Sequence, residues 1–317
     1  MHGSAPVIAL TLLACLGHPK VLPAPTPATL ALVHTDADTR RWYLPVDGPG
    51  GLRPWFFDTG YGATTCDDDL IADLGLRPHG LVWVRGEAGG LWARTVRLPA
   101  FRIGDHEVRH LRCIVRDLGS TSSIQDPNEV RVAGVLGNDV ARRFDLVLDP
   151  SVPSVTFFAP GEAPRPERPP ARLHREAGFG PRSVVRLGLD VDGRPREIRV
   201  LLDTGASATF LDGERYGWSP TFVARDVRLR GTGKTGGQTR DLAWYRVEVT
   251  PPGAAPVAIQ AGGRPRGPNA PGLLGLDVLG QHRVTLGFRA GEVWFEPASR
   301  AETLGWTAWA AQRVSPP

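Results

Sequence analysis

The apolar and polar positions of this chain alternate between short β-like runs and turn signals, and two runs stand out. Trp55-Phe-Phe and Val200-Leu-Leu each run directly into Asp-Thr-Gly, at Asp58-Thr59-Gly60 and Asp203-Thr204-Gly205. Upstream of the first, Trp42 to Val46 reaches a turn at Asp47 to Gly51 and Leu52 to Phe57 returns, which predicts a β-hairpin. Ser183 to Leu202 predicts the same hairpin again. Leu81 to Trp92 reads as strand, glycine-rich tip and strand, with a counterpart from Val227 to Gly237. Phe101 to Arg116 adds two short strands around Gly104-Asp105. Helical signal is sparse: Asp67 to Gly75 carries acidic residues in its first turn and glycine at its end, a short capped helix.

These elements come twice, in register. Val46-Asp47-Gly48 recurs as Val191-Asp192-Gly193, at the same step from the aspartate of Asp-Thr-Gly. Each Asp-Thr-Gly continues into Ala-Thr, at Ala63-Thr64 and Ala208-Thr209. Gly134-Val-Leu-Gly137-Asn-Asp139 recurs as Gly272-Leu-Leu-Gly275-Leu-Asp277. Self-similarity on this scale is a duplicated domain. One Asp-Thr-Gly is a weak signal that many chains carry by accident; two in register with matching glycine loops are specific.

At 317 residues the chain is long enough for two lobes with separate cores, and 41% hydrophobic and 22% charged residues are ordinary for a globular protein. The net charge of +4 comes from arginines spread along the chain, without the clusters that nucleic acid would need. Gly231 to Gly236 matches a dinucleotide fingerprint formally, but no amphipathic helix follows it, and Arg228 stands where a P-loop needs glycine. Nucleotide binding is rejected. Residues 1–16 hold a short apolar run, too short to span a bilayer and suited to a secretory leader. The same run resembles a bacterial lipoprotein box with Cys15 as the lipidated residue, so plain export and a membrane tether stay open. Residues 17–39 read as a flexible spacer and 161–176 as a proline-rich linker between lobes at 40–160 and 177–297, with a tail at 298–317.

Apolar-apolar-Asp-Thr-Gly, a glycine-rich hairpin and Gly-[Val/Leu]-Leu-Gly-x-Asp together resemble one half of an aspartic peptidase. Each half is worded like the retropepsin type, and two halves in one chain resemble the bilobal, pepsin-like arrangement of bacterial members. The resemblance covers about residues 30 to 297. It implies an all-β fold of two pseudo-symmetric lobes with a central cleft, a monomer acting on peptide or protein, and no cofactor or metal. It assigns Asp58 and Asp203 as the catalytic dyad, and Thr59, Gly60, Thr204 and Gly205 as its support. Gly86, Gly89 and Gly90 fall at the tip of the hairpin that folds over substrate in the family. Tyr61 departs from the pattern, which has Ala or Ser at that place; Ala206 in the second copy matches it. With the stabilising bond that pepsin-type lobes give the carboxylate missing from each side, the expected pH optimum is less acidic than in pepsin-type enzymes.

The chemistry asked of such a pair is water activation. Two adjacent carboxyl groups sharing one proton split their pKa values, so one takes a proton from water while the other donates to the scissile carbonyl. The rival reading is a secreted peptide-binding protein that keeps the cleft and has lost catalysis. Cys66 and Cys113 stand either as a disulfide or as two buried thiols. Asp67 to Asp69 read as helix dressing rather than metal ligands. Trp83 and Trp92 suit either an apolar pocket or the core.

Overall fold

The computed structural model describes residues 19–32, 42–86, 89–118, 132–176, 182–229, 238–263 and 270–298. The leader with Cys15, the polar loop at 119–128, the glycine-rich tip at 231–237 and the tail beyond 298 lie outside the described residues. Strands dominate, in three sheets of ten, eight and six, and the helices are short. The fold is all-β.

Both copies of the repeat weave the same pattern. In the first, Tyr43–Gly48 and Gly51–Asp58 form the opening hairpin, and Gly51–Asp58 pairs in parallel with Gly134–Gly137. That glycine strand then runs antiparallel to Thr65–Asp67, which pairs in parallel with Arg112–Arg116. In the second, Arg182–Val191 and Arg194–Leu202 form the hairpin around Asp192 and Gly193, both at positive φ as a tight two-residue turn requires. Arg194–Leu202 pairs in parallel with Gly272–Leu274, which lies against Phe210–Leu211, which pairs with Val257–Gly263. The Asp-Thr-Gly strands thus run through the middle of their sheets, and central parallel strands are covered on both faces. Their unbroken apolar residues fit that place: Trp55, Phe56, Phe57, Val200, Leu201 and Leu202 are all buried.

The outer hairpin of the first sheet is His79–Gly86 with Gly89–Arg97, and Gly86 pairs with Gly89 next to its tip. Its counterpart in the second sheet is Phe222–Leu229 with Gln238–Thr250. The helix Asp68–Asp73 forms as the sequence predicts, with Leu70 and Ile71 buried and Gly75 at φ +61° beyond its end.

The six-stranded sheet is shared. Asp145–Asp149 from the first repeat pairs antiparallel with His282–Gly287 from the second, through Leu146 against Leu286 and Leu148 against Val284. Ser154–Phe158 and Glu292–Pro297 flank them. Separate cores were expected; instead one continuous apolar cluster joins residues of both repeats, including Phe57, Leu146 and Phe157 with Leu202, Leu286 and Phe295.

Two stretches depart from the sequence reading. Within the expected spacer, Lys20–Leu22 adds to the edge of the ten-stranded sheet beside His106–Arg109, and Ala28–Ala31 adds to the edge of the shared sheet beside Ser154–Phe158. Edge positions tolerate the neighbouring prolines, which cannot donate to a central ladder. Buried His106 fastens this segment: its Nδ1 accepts the Ala24 N–H at 2.9 Å while Nε2 faces the Phe157 carbonyl at 3.0 Å. The expected linker is also docked. Arg168 donates to the carbonyls of Gly253 and Phe295, the Trp294 indole donates to the Arg168 carbonyl, and Arg175 donates to Phe288.

Candidate active site

The two Asp-Thr-Gly turns meet where the ten-stranded and eight-stranded sheets face each other. Buried Thr59 and Thr204 lock them together. Thr59 Oγ1 donates to the Leu202 carbonyl at 2.9 Å, and Thr204 Oγ1 donates to the Phe57 carbonyl at 2.8 Å. Each hydroxyl oxygen also accepts the other threonine's backbone N–H, at 3.0 and 3.2 Å. Four bonds therefore cross between copies in a site closed to water, where a broken bond leaves an orphaned polar group.

That lock brings the two carboxyl groups together. Asp58 and Asp203 are close enough to hydrogen-bond, side chain to side chain. A Cβ on Gly60 would overlap the Asp203 carboxyl, and one on Gly205 would overlap the Asp58 carboxyl. Glycine is the residue that lets the backbone of one turn pass so near the acid of the other. Asp58 Oδ1 accepts the Tyr61 N–H at 2.9 Å, and Asp203 Oδ1 accepts the Gly205 N–H at 2.9 Å. Burial holds the Asp58 carboxyl well above the usual carboxylate range; the neighbouring Asp203 pushes the same way, and the N–H groups of Tyr61 and Gly60 oppose both.

Behind each turn stands a brace that sequence reasoning quoted but did not connect. Thr64 Oγ1 donates to half-buried Asp139 at 2.7 Å and accepts the Gly137 N–H at 3.2 Å. In the second copy, Thr209 Oγ1 donates to Asp277 at 2.6 Å and accepts the Gly275 N–H at 3.1 Å. Burial raises Asp139, and raises Asp277 to about 6. The signal was present, since the threonine and the aspartate each recur at the same step in both repeats. A pairing between them is visible only once the glycine strand is threaded beside the turn. Gly137 and Gly275 permit that threading: a Cβ on either would collide with the backbone of Ala63 or Ala208.

Tyr61 is accommodated rather than crowded out. Its carbonyl accepts the Asn138 N–H at 2.7 Å. Its ring packs against two apolar clusters, one of Tyr43, Phe56, Leu118, Val132 and Val135, the other of Val84, Ala93 and Ile114. Beside it lies buried Arg116, whose guanidinium burial pushes down and Tyr61 favours.

Of the remaining expected residues, Gly86 and Gly89 close the outer hairpin as a facing pair, with Gly90 beside them. Cys66 and Cys113 are joined in a disulfide with Cα atoms 5.8 Å apart, which resolves the two alternatives left open. Trp83 and Trp92 belong to no core: they stack edge to face at 5.5 Å on the exposed side of the hairpin. Asp67, Asp68 and Asp117 converge, and Asp67, raised to about 6 mainly by burial, accepts the Leu118 N–H. Among the described residues, no helix is long and apolar enough to cross a membrane.

Residues 49–140 match the family model described as aspartyl protease. The matched stretch contains Asp58-Thr59-Gly60, the outer hairpin and Gly134 to Gly137; Asp203 lies outside it. No curated protein matches the chain. The match supports a protease role, a hydrolase of the aspartic protease kind.

Proposed function

We propose that this chain is an exported aspartic endopeptidase that cleaves peptide bonds with a water held between Asp58 and Asp203. The observation that carries this reading is the approach of the two carboxyl groups, with each turn's glycine laid against the other turn's acid. Asp58, whose carboxyl burial and the neighbouring Asp203 hold above the usual carboxylate range, serves as the acid, and its partner as the base that deprotonates water. The protonated group donates to the scissile carbonyl oxygen as the tetrahedral intermediate forms; when that intermediate breaks down, the proton taken from water passes from Asp203 to the leaving amine and Asp58 regains a proton from the gem-diol hydroxyl. Thr59 and Thr204 set the spacing of the pair, and the Thr64–Asp139 and Thr209–Asp277 braces stiffen the loops behind it. The two repeats act as the two lobes of one monomer, with the outer hairpin of the first as the cover over substrate.

Export is supported by the disulfide, which persists in oxidising compartments, and by the short apolar leader. The final location is then the periplasm, an outer surface reached through lipidated Cys15, or the medium.

The test is incubation of purified protein with a peptide library from pH 3 to 8, with and without pepstatin. Pepstatin-sensitive cleavage is expected, with an optimum above about pH 4 because burial and Asp203 both hold a proton on Asp58. Asp58→Asn and Asp203→Asn should each abolish it. Cleavage surviving both substitutions, or peptide binding without any cleavage by the wild type, would overturn the reading.

A further inference from the structure

We infer that Tyr61 is a positioning residue that seats the outer hairpin, His79–Gly86 with Gly89–Arg97, and couples it to the Asp58 carboxyl. Its backbone and its ring touch the two things that must be aligned. The Tyr61 N–H donates to Asp58 Oδ1, and its carbonyl is held by the Asn138 N–H, so the main chain at this position is fixed from both sides. The ring leaves that fixed point and packs on the cluster built from Val84 and Ala93 of the hairpin with Ile114 of the neighbouring strand. Val82 and Leu91 of the hairpin pack on the same cluster.

The base of the hairpin is laddered into the sheet, Arg94 to Arg97 against Arg112 to Val115, and beyond that ladder, toward the tip, little else holds it. Side chains alternate across it, so Val82 and Val84 turn inward while Leu81 and Trp83 turn out. Leu81 is 67% exposed, Trp83 41% and Trp92 63%, so its outer face is left largely to solvent. A two-stranded ribbon held on one face is marginal by itself, and the inner contact decides whether it stays down. In the second copy Ala206 occupies the matching place, and its short side chain cannot reach so far. The duplicated halves are therefore unequal at this point. The first half carries the seated hairpin.

The positioning role rests on the hydrolytic reading, whereas the seat can be measured without it. Hydrogen exchange would be followed in the full chain carrying Asp203→Asn, which removes self-cleavage from the readout. Adding Tyr61→Ala should speed exchange of the amides at Val82 to Val84 and Leu91 to Ala93 by about tenfold or more. Exchange in Arg194–Leu202 should not change, and Tyr61→Phe, which keeps the ring, should restore most of the protection. In chains with both acids intact, Tyr61→Ala should lower kcat/KM by about tenfold or more, with Tyr61→Phe close to wild type. Unchanged hairpin exchange in Tyr61→Ala overturns the inference, as does equal acceleration across the whole molecule. Loss of hairpin protection in a chain whose wild type cleaves nothing would sink the hydrolytic reading and leave the seat standing.

Discussion

Thr59 and Thr204 each accept the other's backbone N–H while giving their own hydroxyl proton to the opposite strand. Replacing either by valine keeps the shape and removes two bonds, leaving a buried N–H and a buried carbonyl without partners. The expected loss is about 2–4 kcal/mol for each single variant. The double variant should still cost clearly less than the sum, because the two pairs of bonds, though separate, clamp the same two turns and the loss of one pair already loosens them. Urea denaturation of the three variants checks this. Strict additivity would mean that the threonines do not act as one lock.

Gly205→Ala places a methyl group on the Asp58 carboxyl, and Gly60→Ala does the same to Asp203. A shift of about 1 Å in a reacting group costs on the order of a hundredfold, so each variant should lose at least that much in kcat/KM. Near-ultraviolet circular dichroism should remain close to wild type, since the displacement is local. Wild-type turnover by Gly205→Ala would show that the carboxyl does not need to stand where it does.

Asp277 has a pKa of about 6 in the folded chain, held up mainly by burial, against an ordinary value of 3.8. Between those values the folded state binds the proton more tightly than the unfolded state. The group's contribution to stability is therefore fully present below about pH 4 and is lost as pH rises toward 6, on the order of 3 kcal/mol across the window. Asp277→Asn never ionises, so its melting temperature relative to wild type should be lowest near pH 4 and recover by pH 7. A difference that stays flat across that range would contradict the assignment.

The disulfide between Cys66 and Cys113 closes a span of 47 residues that holds the acidic helix and the outer hairpin. Restricting the unfolded chain over such a span stabilises the fold by about 4 kcal/mol on the loop-entropy account. Cys66→Ala with Cys113→Ala should lower the urea midpoint accordingly, and reducing agent should destabilise the wild type but leave the double variant unaffected. Insensitivity of the wild type to reductant would mean the cysteines are not bonded in solution.

Much of the candidate site was legible because its chemistry is local: Asp58-Thr59-Gly60 and Asp203-Thr204-Gly205 are short motifs, and the duplication marks them. The opening hairpins were legible for the same reason, since Asp192-Gly193 is a strong turn signal between alternating runs. What escaped depended on distant partners. Lys20–Leu22 and Ala28–Ala31 look like spacer by composition and become strands only because the edges beside His106 and Ser154 receive them. The Thr64–Asp139 and Thr209–Asp277 braces needed the third dimension. Trp83 looked equally suited to pocket or core, and the pleat of the hairpin put it on the outside.

The pairing of Leu146 with Leu286 gives the order of synthesis a meaning. A ribosome that has just placed residue 281 has already delivered both aspartates, both threonines and the outer hairpin. The strand at 145–149 still shows a bare hydrogen-bonding edge, and such an edge invites pairing with a stranger until its own mate arrives. The strand beginning at His282 covers it. Until residues 282–287 have emerged, the nascent molecule is open to aggregation through that edge, and release before they are made would leave it in that condition.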